Sequence, residues 1–352
     1  MTTARTRAGA TDFANGECLC RRVLPVAGLT CRNHRYFYGN IMNNTERNKC
    51  PDNFEGGVIC INKPEGITSH DVVGKLRRLF GTRQVGHTGT LDPMATGVLT
   101  VMIGRAVKAS EYLTAEDKAY TAGVRLGITT DTEDVSGAIL TQFSGDLPCL
   151  SEVKAAAEQL TGDIMQTPPM YSALKIDGKK LVDLARKGVE VERQARPITV
   201  RRFDVEPTDR ADEYVLHVEC SKGTYIRTLC SDLGSILGCG AAMSSLNRTA
   251  SGAFTLEDSY TLEQLEAMPF DERLSALCPV EKMFSTLPTV LLADFFARLG
   301  HCGCELYQKK IRTDYAVGDR VRLCDRNGFF AIGEVREYED GTAIKPIKQF
   351  KI

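Results

Sequence analysis

The chain has 352 residues and nearly balanced charge, with 44 Lys and Arg residues against 45 Asp and Glu residues and a formal net charge of -1. Hydrophobic residues make up 43% and charged residues 25%, which excludes wholesale disorder, collagen and a coiled-coil rod. No run of about 18 consecutive apolar residues occurs, so the sequence predicts no membrane-spanning helix. At about 100–200 residues per domain, the length predicts two domains.

The first 55 residues differ from the rest because no helical or strand period runs through them and basic residues outnumber acidic ones. We expect a disordered extension, or translated sequence upstream of a start at Met42, and the sequence does not separate the two. A zinc-binding module with its own partner is a third alternative, although the spacing of its candidate ligands fits no closed four-ligand pattern well. Those candidates are Cys18, Cys20, Cys31 and His34.

The thirteen cysteines are spread singly along the chain, and their number is odd. This distribution predicts reduced thiols in an intracellular protein rather than a disulfide framework. The N-terminus also lacks the basic start and apolar segment of a secretory signal. We therefore expect a cytoplasmic protein.

From residue 57 onward, short apolar strands alternate with amphipathic helices, without a regular βαβ rhythm. This mixture predicts an α+β fold with a largely antiparallel sheet. Ser69 is the predicted N-cap of the first helix and Gly81 its stop, and Thr261 with Gln264 forms a predicted capping box. Beyond residue 287, strands separated by turn residues predict a β-barrel-like module of about 60 residues. The predicted strands are 58–61, 98–103, 120–126 and 214–220, and the predicted helices are 69–80, 150–160 and 226–237.

The segment 86–97 is the richest candidate for a functional loop. Its three glycines allow the backbone to bend sharply and to approach a ligand closely. Pro93 keeps Asp92 out of helical geometry, so that a carboxylate is held on a rigid bend near the imidazole of His87. The same composition also fits a loop in which Asp92 only caps a turn. A phosphate-binding loop is disfavoured because neither glycine signature of such loops is present.

Four further segments accompany this loop in order, at residues 63–69, 118–120, 168–175 and 221–228. Together with residues 86–99 they resemble the signature of the tRNA pseudouridine-55 synthases, the TruB family. The resemblance covers residues 56–250 strongly. The C-terminal stretch more weakly resembles the PUA-type RNA-binding barrel of bacterial members.

The resemblance implies a pseudouridine-synthase fold, with a central, mostly antiparallel sheet flanked by helices and a small C-terminal PUA-like barrel. It divides the chain into an N-terminal extension (1–55), a catalytic domain (56–286) and a PUA-like domain (287–352). A thumb insertion is expected at about 164–190. The implied activity is isomerisation of uridine 55, in the T-loop of tRNA, to pseudouridine by base flipping, with no metal or organic cofactor.

The resemblance also implies roles for individual residues. Asp92 would be the nucleophile, attacking either the base or the sugar, and Arg227 would pair with it, although its place in a first helical turn alone predicts a solvent-exposed cation. Tyr120 would stack on the target base, and Tyr225 would transfer a proton or stack. The remaining assignments are His87 for displacing the base, Leu246 for lining an apolar pocket, and Lys63, Lys175, Lys179, Lys180 and Arg186 for binding RNA.

Residues 171–202 are rich in basic side chains, which by themselves would indicate a solvated face. Within the resemblance they correspond to the thumb that closes over the T-arm stem-loop. Guide-RNA-dependent relatives lack this segment, so its presence favours a stand-alone tRNA enzyme. We expect the protein to be a monomer. A rival of another class is an RNA-binding folding factor in which Asp92 is vestigial. We expect an enzyme because every position needed for the chemistry is occupied.

Overall fold

The computed structural model describes residue 50, residues 54–176 and residues 178–350. Most of the predicted N-terminal extension, including the candidate zinc ligands, lies outside the described residues, and the side chains of Lys175 and Lys180 also lie outside them. Within the described residues every cysteine is a free thiol, and no group of His, Cys, Asp and Glu is arranged to hold a metal. None of the helices described is long and apolar enough to cross a membrane.

The part of the chain up to residue 286 builds one large sheet and the helices that pack on it. Its strands are β1 (Gly57–Lys63), β2 (Val85–His87), β3 (Thr96–Ile103), β4 (Lys118–Leu126), β5 (Ile128–Thr130), β6 (Ile139–Gln142), β7 (Gly162–Gln166), β8 (Lys175–Ile176), β9 (Lys179–Lys180), β10 (Arg196–Pro207), β11 (Glu213–Cys220), β12 (Ala241–Ser251), β13 (Phe254–Thr255) and β14 (Ser259–Tyr260). Its helices are α1 (Ser69–Leu79), α2 (Ser110–Thr114), α3 (Leu150–Gln159), α4 (Leu181–Ala185), α5 (Ile226–Ile236), α6 (Leu262–Ala267) and α7 (Phe270–Ser275). Three 3₁₀ helices span Gly104–Ala109, Leu256–Asp258 and Val280–Phe284.

The large sheet has ten strands, and its main path runs β14-β1-β3-β12-β4-β11-β10-β7, with β2 paired to β3 and β13 to β12. Only the β1–β14 and β3–β12 pairs within it are parallel. Two short hairpins, β5–β6 and β8–β9, lie outside it. The predicted α+β class with a mostly antiparallel sheet is therefore confirmed.

The sequences of β1 and β3 are largely continuous apolar runs, because both faces of these strands are buried. Ile59 and Ile61 of β1 belong to the main core, which also contains the buried faces of α1, α3 and α5. Val58 and Cys60 point to the opposite face and join a second core, which includes residues near the C-terminus. Since successive strand residues alternate between faces, a strand covered on both sides loses its polar alternation.

The N-cap of the first helix lies one residue earlier than the sequence predicts. Thr68, not Ser69, is the N-cap of α1, because the Thr68 hydroxyl accepts a hydrogen bond from the backbone N–H of Asp71 and the Asp71 carboxylate accepts one from the N–H of Thr68. Ser69 is the first helical residue, and its hydroxyl bonds a different segment. Gly81 follows the end of α1 with a left-handed φ of 58°, as its predicted role as a stop requires.

The C-terminal part forms a separate five-stranded sheet with the order β15-β17-β18-β19-β16. This sheet is consistent with the predicted small PUA-like module. Its strands are β15 (Thr289–Leu291), β16 (Leu306–Tyr307), β17 (Arg320–Asp325), β18 (Gly328–Tyr338) and β19 (Gly341–Gln349), and its helices are α8 (Asp294–His301) and α9 (Gln308–Ile311).

Candidate active site

The loop between β2 and β3 holds Asp92 on a turn, as the sequence predicts. The N–H of Ala95 donates to the Asp92 carbonyl oxygen at 3.1 Å, which closes the turn. On one side of Asp92, the Ser69 hydroxyl both accepts from the Leu91 N–H at 2.8 Å and donates to the Leu91 carbonyl oxygen at 3.0 Å. Helix α1 therefore fixes the backbone immediately before the carboxylate.

Lys63 holds the other side of this loop and has no surface to offer RNA. Its side chain is 0% exposed, and its ammonium donates to the carbonyl oxygens of Pro64, Ile67 and Pro93 at 2.8, 2.7 and 3.2 Å. Burial lowers the pKa of Lys63. This burial does not support the prediction that Lys63 binds RNA, because its ammonium joins the segment after β1, at Pro64 and Ile67, to Pro93 in the loop that carries Asp92.

Arg248 on β12 is a buried cation that the sequence analysis did not assign. Its guanidinium donates to the carbonyl oxygen of Val98 at 2.6 Å and to that of Gly89 at 3.2 Å, so it ties β12 to both ends of the loop. The loop passes so close to β12 that a Cβ at Gly97, which has φ +99°, would lie 2.3 Å from the Arg248 carbonyl oxygen. Only glycine fits there.

The predicted pair of Asp92 and Arg227 is present. Arg227 is the second residue of α5, and its Nε lies 3.0 Å from Oδ2 of Asp92. The Arg227 side chain is only 7% exposed, whereas that of Asp92 is 36% exposed. The arrangement therefore presents an ionisable oxygen nucleophile to solvent against a buried, permanently charged guanidinium.

A second carboxylate, which sequence reasoning missed, also faces Arg227. Nη1 of Arg227 lies 3.7 Å from Oδ2 of Asp134, in the loop between β5 and β6. Asp134 is buried, and its other oxygen accepts hydrogen bonds from the Thr132 hydroxyl at 2.9 Å and from the backbone N–H and hydroxyl of Ser136. Residues 131–134 contain three carboxylates, and their spacing in the sequence does not show which of them points into the protein.

The remaining nitrogen contacts of Arg227 are with backbone oxygens. Nη1 donates to the Thr132 carbonyl oxygen at 3.1 Å and Nη2 to that of Tyr171 at 2.8 Å. The first turn of α5 thus meets both the β5–β6 loop and the segment after β7. This set of acceptors explains why Arg227 is buried rather than extended into solvent.

The surroundings of Asp92 act on its pKa in opposite directions. Burial raises the pKa of Asp92, the Arg227 guanidinium lowers it, and the Asp134 carboxylate raises it again. The net effect is a pKa above the ordinary value for an aspartate. The charge of Arg227 therefore favours the ionised form that a nucleophile needs.

Tyr120 and Leu246 project from the same face of the large sheet beside this pair. In the register of β4 and β12, Leu246 lies opposite Ala122, two residues from Tyr120, so the two side chains are diagonal neighbours. Burial raises the pKa of Tyr120, the positive charge of Arg248 lowers it, and the nearby Asp92 carboxylate raises it. The aromatic and apolar side chains predicted for the site thus lie together next to Asp92.

Tyr225 is the residue immediately before α5, two positions from Arg227. Its side chain is half-buried, and both of its backbone polar groups bond the side-chain amide of Gln166. The predicted site residues on α5 and on the loop are therefore brought together by the fold.

His87 occupies the end of β2, opposite Val101 of β3. Burial and the positive charge of Arg248 both lower the pKa of His87, which favours the neutral imidazole. Its Nδ1 is buried and has no hydrogen-bond partner among the described residues. The position is at the entrance to the Asp92 loop, five residues before the carboxylate.

The predicted RNA-binding residues beyond the loop lie on the segment between β7 and β10, here called the insertion (residues 167–195). Lys179 and Arg186 are exposed, and neither forms an ion pair with another described residue. By contrast, two of the basic residues in the 171–202 stretch are part of β10 and are paired, Arg201 with Asp117 at 2.7 Å and Arg202 with Asp204. The basic stretch is thus divided between a free group and an ion-paired group.

Family comparison gives two adjacent matches. Residues 77–226 match the family described as TruB family pseudouridylate synthase, N-terminal domain. Residues 227–285 match the family described as tRNA pseudouridylate synthase B, C-terminal domain. Both the Asp92 loop and the start of α5 fall within these matches.

Several bacterial proteins named tRNA pseudouridine synthase B are similar to this chain. That of Heliobacterium modesticaldum is 41% identical over 298 residues, covering 84% of this chain and 95% of the relative. That of Aromatoleum aromaticum is 42% identical over 278 residues, covering 79% and 88%. That of Geobacillus thermodenitrificans is 46% identical over 247 residues, covering 68% and 81%.

Two solved structures share the fold. One is an H/ACA RNP bound to a substrate RNA containing 2'-deoxyuridine, with a TM-score of 0.62, 24% identity, and coverage of 89% of this chain and 93% of that one. The other is a Cbf5-Nop10-Gar1 complex, with a TM-score of 0.62, 26% identity, and coverage of 89% and 92%. The predicted fold class is therefore confirmed.

Proposed function

The chain belongs to the TruB family of pseudouridylate synthases, and from this premise we propose that it converts uridine 55, in the T-loop of tRNA, to pseudouridine as a stand-alone enzyme. The observation that carries the proposal is the pair formed by the partly exposed Asp92 carboxylate and the buried Arg227, 3.0 Å apart. The similarity to proteins named tRNA pseudouridine synthase B supports tRNA as the substrate class.

The reaction is an isomerisation, so its atoms balance without a co-reactant. The bond between uracil N1 and ribose C1′ breaks, the uracil turns, and C5 bonds to C1′, while C5 loses a proton and N1 gains one. Asp92 is the proposed nucleophile, either at the base or at the sugar, since carboxylates serve both as nucleophiles and as stabilisers of developing oxocarbenium ions. Arg227 keeps that carboxylate ionised and oriented.

Tyr120 and Leu246 form the proposed binding surface for the uracil ring. An aromatic face and an apolar side chain on one side of a sheet match the flat, apolar faces of a nucleobase, and base stacking on an aromatic ring stabilises binding by about 1–3 kcal/mol. Tyr225 is the proposed proton-transfer or stacking residue. Its place next to Arg227 supports this assignment.

The target uridine lies inside a folded T-loop, so it must leave its stack before chemistry. His87 is proposed to contact the RNA and to occupy the vacated space rather than to act as a general base. The lowered pKa of His87, caused first by burial, agrees with a neutral ring that stacks or donates one hydrogen bond.

The insertion is proposed to bind tRNA phosphates through Lys175, Lys179, Lys180 and Arg186. The side chains of Lys179 and Arg186 are exposed and form no ion pair within the described part of the chain, which supports this role, because phosphate binding requires cations that can exchange counterions. We place the boundaries of the catalytic and PUA-like domains at residues 56–286 and 287–352, with the second as a further RNA contact. A monomeric, cytoplasmic enzyme without guide RNA is the arrangement proposed.

The test is the formation of pseudouridine in an unmodified T-arm stem-loop. The wild-type chain should form it and Asp92→Asn should not, because the amide cannot act as the nucleophile. Asp146→Asn is the matched control, since Asp146 is an exposed loop carboxylate away from the pair. If wild type binds the stem-loop but forms no product, the chain is an RNA-binding protein and the proposal is wrong.

The role of His87 is tested in the same assay. His87→Ala should reduce the rate far less than Asp92→Asn, because base displacement assists the chemistry but does not perform it. Equal and complete loss in both variants would contradict this division of roles.

A further inference from the structure

Gln166 lies at the root of the insertion. It is the last residue of β7, and its Cα partner in the sheet is Arg196, the first residue of β10. The chain therefore leaves the large sheet just after Gln166 and returns to it directly opposite. The Gln166 side chain is buried, with the residue only 2% exposed, and points into the protein rather than toward solvent.

The Gln166 amide bonds both backbone groups of one residue at the active site. Its Oε1 accepts from the Tyr225 N–H at 2.8 Å, and its Nε2 donates to the Tyr225 carbonyl oxygen at 3.0 Å. An unpaired polar group at a buried site costs about 1–3 kcal/mol, so these two bonds strongly favour one position of Tyr225. The side chain of Tyr225 itself does not cap the start of α5, so Gln166 supplies the side-chain hydrogen bonds to the backbone of this N-cap residue.

The insertion contacts the next functional residue on α5 as well. The Tyr171 carbonyl oxygen accepts from Nη2 of Arg227 at 2.8 Å. Arg193, near the returning end, donates from Nη1 to the Pro168 carbonyl oxygen at 3.1 Å and so closes the insertion on itself. Residues at the base of the insertion are therefore hydrogen-bonded to both Tyr225 and Arg227. The contact with Arg227 comes from a backbone oxygen, whereas the contact with Tyr225 comes from the Gln166 side chain and can be removed by substitution.

We propose that Gln166 is a positioning residue that fixes Tyr225, and through the first turn of α5 also Arg227, relative to the root of the insertion. This inference rests on the proposed function, because the insertion is there taken to grip the RNA. Gln166 would keep the RNA bound by the insertion in a fixed position relative to the Asp92–Arg227 pair. Displacing a reacting group by about 1 Å can cost about 100-fold in rate, so loss of this contact should be visible in the chemical step.

The test compares Gln166→Met with wild type, since methionine keeps the length of the side chain and removes both hydrogen bonds. Gln159→Met is the matched control, because Gln159 lies on the exposed face of α3. Gln166→Glu is a second variant that keeps the acceptor for the Tyr225 N–H and removes the donor. The measurements are single-turnover pseudouridine formation in a T-arm stem-loop, the Kd for that stem-loop, and amide hydrogen exchange along the chain.

The proposal expects Gln166→Met to lose about 10-fold or more in single-turnover rate. The Kd should stay within about threefold, exchange should accelerate mainly at residues 224–229, and Gln166→Glu should fall between Gln166→Met and wild type. An unchanged rate, or a rate loss with equally weakened binding and faster exchange throughout the chain, would overturn it. If wild type forms no pseudouridine, the proposed function fails, whereas the exchange data still decide whether Gln166 holds Tyr225.

Discussion

Arg227 occupies a position where a cation is ordinarily disfavoured, since the first turn of a helix carries partial positive charge. Its guanidinium is compensated by the carboxylates of Asp92 and Asp134 and by the carbonyl oxygens of Thr132 and Tyr171. A buried arginine cannot lose its proton, so it must be matched by acceptors. The motif predicted the first carboxylate, and only the folded chain supplies the second.

The two neighbours of Asp92 predict opposite changes in pH dependence. A nucleophilic Asp92 works only when ionised, so the rate rises as pH passes upward through its pKa. Arg227 lowers the pKa of Asp92, so Arg227→Gln should move the acid limb of the pH–rate profile to higher pH. Asp134 raises the pKa of Asp92, so Asp134→Asn should move the limb to lower pH.

These shifts are measured as the midpoint of the acid limb in single-turnover kinetics, each normalised to its own plateau. Normalisation is needed because both substitutions also lower the plateau rate by disturbing the pair. Asp146→Asn is the control and should leave the midpoint unchanged. Midpoints that move in the same direction in both variants would show that another group controls the limb.

Helix α1 shows how one element serves both stability and the site. The hydroxyl of Thr68 caps the helix, and the hydroxyl of the adjacent Ser69 holds the Leu91 backbone next to Asp92. Both residues fit the sequence pattern of an N-cap, of which Ser69 is the predicted one. The pattern could not separate them, because Ser69 finds its partner 22 residues along the chain.

Removing these two neighbouring hydroxyls should therefore have different consequences. Thr68→Ala should lower the free energy of unfolding by about 1 kcal/mol, the usual value of an N-cap, and leave the rate nearly unchanged. Ser69→Ala should reduce pseudouridine formation by about 10-fold, because the backbone before Asp92 loses its anchor. Urea unfolding and single-turnover rates measure the two effects. Equal rate losses in both variants would mean that the helix as a whole, and not the Ser69 contact, positions the loop.

At the scale of the whole molecule, the near-neutral net charge is the sum over regions that differ in charge. In the basic stretch from 171 to 202, Lys179 and Arg186 are exposed and form no ion pair with another described residue, whereas Arg201 and Arg202 are paired with acidic partners. Sequence composition counted these residues together. The folded chain, and not the count of basic residues, shows which of these cations are engaged in ion pairs, namely Arg201 and Arg202 on β10 and Arg193 with Glu190 on the insertion.

An aromatic cluster joins the C-terminal sheet to the part of the chain before residue 287. The ring of Phe284 lies 6.0 Å from that of Phe329, 5.7 Å from that of Phe350 and 5.3 Å from that of Tyr112. The same core contains Val58 and Cys60 on the second face of β1 and other residues of β3 and β18. This second core is therefore shared by the two parts of the chain, in addition to the core that the C-terminal sheet has of its own.

This shared core predicts that Phe284→Ala destabilises the whole protein. The expected loss is about 3–5 kcal/mol in the free energy of unfolding, the usual cost of removing a buried phenylalanine. Phe295→Ala is the control and should cost little, because Phe295 is 59% exposed on α8. Urea unfolding followed by far-UV circular dichroism checks both variants. A loss below about 1 kcal/mol for Phe284→Ala would show that the C-terminal sheet packs independently.

By itself, the sequence determined the local elements and the turn that carries Asp92. Apolar periods identified β1, β3, β4, β11, α1, α3 and α5 because burial imposes those periods on the side chains. The glycines and Pro93 indicated the turn at Asp92 for an equally local reason. The family signature then connected Asp92 to Arg227 although 135 residues separate them.

The tertiary structure decided which polar groups are buried and what each of them meets. Lys63 turned inward to three carbonyl oxygens, Asp134 joined Arg227, and Gln166 met Tyr225, each across a loop or from another strand. Such contacts produce no periodic pattern in the sequence. A single polar residue at the end of a strand has the same sequence context whether its side chain faces water or a neighbouring helix. The cost of burying an unpaired polar group selects its partner only once the elements have packed.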